Sequence, residues 1–235
     1  MEYQPDDDKY FSINTPRPAV NQTFNEYVCA SFGLETKCSL IYLGYKINGD
    51  EINNKVVFKF SKRVKGKEYR LDNEIQIMNF FNNPYILKPL LAFDYRQYLC
   101  IITKFAPHGT LNNIIPRHRK GIGEDLARIA MRQMLEGIKC LHSNRVMHRD
   151  IKPENFLVYS WYPDPIYVVL ADFGFSKFFE KDELGKEYIG TYDYAAPEIY
   201  YNRPYTNSVD IWSLGITLFY MLTGQNPFPR YEVAR

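Results

Sequence analysis

Short apolar runs broken by polar stretches occupy residues 27–105, and apolar residues recur at intervals of three or four after Gly109. Strand-like runs fall at Tyr27 to Phe32, Leu40 to Tyr45, Val56 to Phe60, Ile86 to Phe93 and Tyr98 to Thr103, and a helical segment interrupts them around Leu71 to Phe81. Farther on, Leu126, Ala130, Met134, Ile138 and Leu141 place one apolar stripe on a long helix. Two more strands, Phe156 to Tyr159 and Tyr167 to Ala171, flank Trp161 to Pro165, whose prolines mark a turn. The apolar run Ile211 to Thr223 follows Asp210 directly and is too short to cross a bilayer, so it predicts a buried helix. Residues 1–26 are polar, carry Pro5, Pro16 and Pro18, and read as a flexible leader. The pattern predicts an α+β chain: a β-rich unit with one helix over 27–105 and a mostly helical unit over 106–235.

At 235 residues the chain can bury a sizeable core. Its 29 basic and 27 acidic side chains are interspersed and sum to +2, which offers nucleic acid no broad positive face. Cys29, Cys38, Cys100 and Cys140 form no C-x-x-C pair and sit at no metal-ligand spacing. They predict reduced thiols and a cytoplasmic protein, with the nucleus as the alternative, rather than a disulfide scaffold. Met1 to Tyr10 lacks the apolar core of a secretory signal, and no membrane association is expected.

Two clusters carry the chemistry. His148-Arg149-Asp150-Ile151-Lys152-Pro153-Glu154-Asn155 is followed, 22 residues after Asp150, by Asp172-Phe173-Gly174. A carboxylate able to take a hydroxyl proton, a nearby lysine, and an Asn and an Asp able to hold a hard cation by oxygen are what moving a γ-phosphate requires. Gly190-Thr191-Tyr192-Asp193-Tyr194-Ala195-Ala196-Pro197-Glu198 then follows in the expected order.

These motifs resemble the eukaryotic protein kinase family, over about residues 27 to 228. The resemblance implies a bilobal protein-kinase-like fold, ATP and Mg²⁺ as cofactors, and a serine or threonine of a protein as acceptor. Asp150 is then the catalytic base and Lys152 a fixed positive charge beside the travelling phosphoryl group, a lysine that marks serine/threonine specificity in the family. Asn155 and Asp172 would hold Mg²⁺, and the Thr191 hydroxyl would link to the catalytic Asp and Lys. Lys59, in Val56-Val57-Phe58-Lys59, matches the strand lysine that contacts the α and β phosphates, with Glu74 as its partner. Thr103, Lys104, Phe105 and Ala106 align with the adenine-reading hinge, with Thr103 as a small gatekeeper and the contacts made by the Lys104 C=O and the Ala106 N–H. Leu157 would form the floor beneath the base, with Leu40 and Val57 above it, although these apolar residues equally suit simple core. Asp210, in Asp210-Ile211-Trp212, would hold the backbone of the catalytic loop.

The chain departs from the family pattern in three places. Gly33-Leu34-Glu35-Thr36-Lys37-Cys38-Ser39-Leu40 keeps one glycine of three, and Glu35 adds negative charge where phosphate should approach. Glu187 stands where related kinases are usually phosphorylated, either as a permanent negative charge for Arg149 or as a solvated side chain. The chain stops at Arg235, where related kinases continue, which predicts a truncated C-lobe, exposed apolar helix faces and a Glu198 lacking its arginine. The alternative function is a catalytically weak or inactive kinase-like scaffold that binds partners.

Overall fold

The computed structural model describes residues 17–18, 20–36, 39–48, 54–63, 69–118 and 120–228. The chain divides into two compact units, residues 1–75 with 88–105, and residues 76–87 with 106–235.

The first unit is a six-stranded antiparallel sheet in the order β1-β2-β3-β4-β6-β5. Its strands are β1 Gln22–Phe24, β2 Tyr27–Glu35, β3 Ser39–Lys46, β4 Lys55–Lys62, β5 Leu91–Tyr95 and β6 Tyr98–Lys104. Alternation does the sorting: Leu40, Tyr42, Phe58, Phe60, Tyr98, Cys100 and Ile102 share one buried cluster. Phe24 anchors β1 to that cluster, with its ring centroid 4.9 Å from Phe93, 5.3 Å from Tyr95 and 5.8 Å from Phe58. The polar leader expected through residue 26 therefore gives way to structure by Gln22, because a single Phe on a three-residue strand is too short a signal for periodicity to register. Residues 1–16 of that leader lie outside the described residues. The expected strand Ile86 to Phe93 shrinks to β5. Ile86 makes an isolated bridge to Leu170, the Leu87 N–H donates to the Leu170 carbonyl, and only at Leu90, whose N–H donates to the Ile102 carbonyl, does the main chain turn to β6.

Helix α1 spans Tyr69–Phe80, and its residues 69–75 belong to the first unit.

The second unit holds α2 Leu111–Ile114, α3 Glu124–Ser143, α4 Pro197–Tyr200 and α5 Ser208–Thr223, with the short strands β7 Val146–Met147, β8 Phe156–Ser160, β9 Tyr167–Leu170 and β10 Lys177–Phe178. Along α3 the stripe of Ala127, Ala130, Met134, Ile138 and Leu141 is buried, one residue out of phase at its start with the expected Leu126. Glu124 and Asp125 at the start of α3 and His142 at its end suit the helix dipole. Helix α5 stops at Gly224, which takes φ +71 and returns its N–H to the Tyr220 carbonyl. The run expected as a buried helix is buried on one side only. Val209, Leu214, Ile216 and Met221 face the core, while Ile211, Trp212, Phe219 and Leu222 are exposed. No described helix is long and apolar enough to cross a membrane.

Candidate active site

The loop from His148 to Asn155 lies between β7 and β8, and one buried carboxylate shapes it. Asp210, in the first turn of α5 and 1% exposed, accepts the main-chain N–H of His148 at 2.9 Å and of Arg149 at 2.8 Å. A third donor, His142 Nε2 at 2.8 Å, comes from the end of α3. Those bonds hold Arg149 at φ +66, a left-handed conformation that a bulky residue keeps only when its surroundings impose it. The His148 ring is fully buried. Its Nε2 donates to the Ala171 carbonyl and its Nδ1 accepts the Asp150 N–H, which fixes the neutral Nε2–H tautomer. Burial pushes the imidazole below its ordinary pKa, against the pull of Asp210, Asp150, the Ala171 carbonyl and Asp172. Phe173 packs edge-on against the same ring, at 5.2 Å.

The loop so fixed brings four expected residues together. The Lys152 ammonium lies 2.8 Å from Asp150 Oδ2 and donates to Thr191 Oγ1 at 2.6 Å. The Thr191 hydroxyl in turn donates to Asp150 Oδ1 at 2.7 Å, closing a triangle. Asn155 donates its Nδ2 to the Asp150 carbonyl at 2.7 Å and to Oδ2 at 3.0 Å. Gly190 makes the Thr191 approach possible: it sits at φ +101, and a Cβ there would stand 2.6 Å from the Arg149 carbonyl oxygen.

With Nδ2 committed to Asp150, Oδ1 is the atom Asn155 can offer a hard cation. Asp172 is exposed and held at φ +62, two residues past the end of β9. One amide oxygen and one carboxylate suit Mg²⁺, which keeps few protein ligands and completes its octahedron with water and phosphate oxygens. Among the described residues no group of three His, Cys, Asp or Glu gathers as a self-sufficient metal site.

Arg149 also reaches the segment that follows Gly174. Its Nε donates to the Phe175 carbonyl at 2.8 Å, and Nη1 donates to Glu187 at 3.0 Å and to the Tyr205 hydroxyl at 3.2 Å. Partial burial pushes the Glu187 carboxyl up, but main-chain N–H donors, Arg149 and Lys177 together hold it below the usual range. The solvated reading of Glu187 gives way to the paired one. Tyr205, His142 and Ser213, whose hydroxyl donates to the Tyr194 carbonyl at 2.8 Å, escaped sequence reading because each acts through a contact far along the chain.

In the β-rich unit Lys59 and Glu74 form an ion pair of 2.8 Å with Glu74 buried. Val57 stands opposite Thr103 in the β4/β6 ladder, so the two share a face of the sheet. Leu40 does not join them. It pairs with Phe60 and is wholly buried in the aromatic cluster, on the opposite face from Val57 and Lys59. Ile41, opposite Lys59, occupies the face assigned to Leu40; a one-residue slip in strand register reverses every side chain. Lys104 ends β6 exposed, Phe105 donates its N–H to the Lys55 carbonyl, and Ala106 begins the second unit. Leu157, half-buried on β8, bridges to Thr110. Gly33 sits where the β2/β3 register shifts between Phe32 and Leu34, and the Glu35 charge is met by Arg17 at 2.6 Å. Lys37 and Cys38 of that loop lie outside the described residues.

The protein kinase domain model matches residues 37–234. The chain belongs to the protein kinase family. That membership brings the α+β protein kinase fold expected from the motifs. A probable myosin light chain kinase of Dictyostelium discoideum is 38% identical over 184 residues, covering 76% of this chain and 37% of that protein. The calcium/calmodulin-dependent protein kinase type 1 of Macrobrachium nipponense is 34% identical over 168 residues, 71% of this chain and 48% of its own length. The SNF1-related protein kinase catalytic subunit alpha KIN12 of Arabidopsis thaliana is 32% identical over 179 residues, 74% and 35%. This kinase chain thus spans between about a third and a half of the relatives it matches.

Proposed function

We propose that this kinase chain transfers the γ-phosphate of MgATP to a serine or threonine hydroxyl of a protein. The observation that carries the reading is the Asp150–Thr191–Lys152 triangle. Asp150, held by Thr191 and Asn155, orients the incoming hydroxyl and takes its proton late in the transfer. Lys152 sets a positive charge beside the oxygen charge that redistributes during transfer. Mg²⁺, when bound, neutralises the phosphate oxygens, and Asn155 and Asp172 are the residues that would hold it. Lys59, kept in place by Glu74, contacts the α and β phosphates. Val57, Thr103, Lys104, Ala106 and Leu157 serve the adenine, with Ile41 in place of Leu40.

Glu187 supplies Arg149 with a built-in negative charge, weaker than a phosphate but always present. The names of the relatives, all protein kinases, support protein as the acceptor. Cys29 and Cys100, buried and unbridged, support a reducing cytoplasmic setting.

The single glycine left in the Gly33 to Leu40 segment favours a second reading, a kinase-like binding module. The two separate in one assay. Transfer from [γ-³²P]ATP to a generic protein substrate is expected with Mg²⁺, lost without it, and lost in Asp172→Asn. No transfer by the parent, or equal transfer by the variant, would leave the binding module as the better account.

A further inference from the structure

We propose that Arg63 is a positioning residue, clamping α1 between Asp72 and Asp94 so that Glu74 stays against Lys59. Its consequence for phosphoryl transfer rests on the kinase reading above; the clamp itself does not.

Arg63 follows β4, four residues after Lys59, and so extends the strand face that Lys59 occupies. Its N–H is fixed to the Gln97 carbonyl at 2.8 Å. The guanidinium then serves two carboxylates at once. Nε and Nη2 reach Asp94 Oδ1 on β5 at 2.9 and 2.8 Å, and Nη1 reaches Asp72 Oδ1 on α1 at 3.0 Å. A planar fork can hold that arrangement, whereas a lysine could satisfy only part of it. Burial of these charges also differs: the Arg63 side chain is 27% exposed, and Asp72 and Asp94 are more than half exposed.

The clamp matters because of what else holds this stretch of helix. Of residues 71–75 only Glu74 is buried, and the buried apolar anchors of α1, Ile77 and Met78, come one turn farther along the helix. The Lys59–Glu74 pair by itself is a single pivot. Residues two apart on a helix lie about 200° apart around its axis. Asp72 and Glu74 therefore tie the helix from opposite sides, and two such ties to one strand oppose rotation where one does not. Asp94 completes the device by fixing Arg63 to β5, a second strand of the sheet. An isolated surface ion pair contributes little, but a forked one whose loss frees a weakly anchored turn is amplified in the position of Glu74.

Hydrogen exchange of the α1 amides in the full 235-residue chain tests the clamp. Arg63→Gln is expected to speed exchange across residues 71–80 by about 5-fold, the scale of one such pair, with Arg63→Lys between it and the parent. Asp72→Asn and Asp94→Asn, which leave Arg63 in place, are expected to do the same and serve if Arg63→Gln fails to fold. Unchanged exchange in the folded variants overturns the clamp. Phosphate transfer tests its role. Arg63→Gln is expected to lower transfer by roughly 5-fold in the parent and not at all in a Glu74→Gln background, while the drop in Tm is the same in both. Losses in transfer that multiply would overturn positioning through Glu74. A parent that transfers no phosphate sinks the kinase reading, and the exchange rates then decide the clamp by themselves.

Discussion

Replacing Asp210 by Asn probes the support on which the catalytic loop hangs. The carboxylate is almost wholly buried and takes three donors: two main-chain N–H groups on separate oxygens and the His142 ring. An amide keeps one acceptor oxygen and presents an NH₂ to the other side, so at least one N–H donor is left facing a donor. Each hydrogen bond to a charged acceptor nets about 1.5–3 kcal/mol, and a buried donor left unpaired costs about 1–3 kcal/mol. The expected loss is about 3–5 kcal/mol, the range found when one partner of a buried charged network is removed. Set against a total stability of roughly 5–15 kcal/mol for a folded domain, that is a large fraction. With a urea slope of about 2 kcal/mol/M, the unfolding midpoint should fall by about 2 M. Asp125→Asn, an exposed carboxylate on α3, should barely move it and serves as the control. A midpoint for Asp210→Asn within about 0.3 M of the parent would refute the reasoning and assign the left-handed Arg149 backbone to other contacts.

Other variants separate chemistry from scaffold. Asp150→Asn should lower phosphate transfer by about 10²–10⁴-fold under conditions where the variant is still folded; retained transfer would remove Asp150 as base. Thr191→Val, which deletes the hydroxyl joining Lys152 to Asp150, should lower kcat more than it raises KM for ATP, and a change confined to KM would contradict the triangle. Glu187→Gln should reduce activity by a few-fold, on the scale of one partly exposed ion pair, and equal rates would dismiss the built-in charge. His148 sets a pH dependence. The unfolded chain binds a proton as pH falls through about 6.5, and the buried ring does not, so its contribution is neutral above that pH and destabilising below it, by at most about 1.4 kcal/mol per pH unit. His148→Gln should flatten the loss between pH 7.5 and 5.5, and an undiminished slope would place the effect elsewhere.

The residues that needed only local reading were legible in the sequence. Asp150, Lys152 and Asn155 lie within six positions on one constrained loop, so their meeting follows from the chain itself. Lys59 and Glu74 meet as the resemblance implied, a pairing carried by the match of two motifs to the family and not by periodicity. Leu40 failed for the opposite reason. Register between β3 and β4 is set by the partner strand, and the run Leu40 to Leu43 is apolar at all four positions, so alternation gave no sign of which residues face Lys59. Tyr205 and His142 were invisible because a hydroxyl and an imidazole 56 and 68 positions from their partners leave no periodic trace.

The ring of Phe24 fixes how far the amino end of this chain can be trimmed. It touches four other aromatic rings across strands β4 and β5, contacts worth roughly 0.5–1.5 kcal/mol apiece beyond the area they cover. A shortened protein that starts at Val20 keeps this plug. One that starts at Asn25 uncorks the face made by Phe58, Phe60 and Phe93, and its solubility should suffer before its chemistry does.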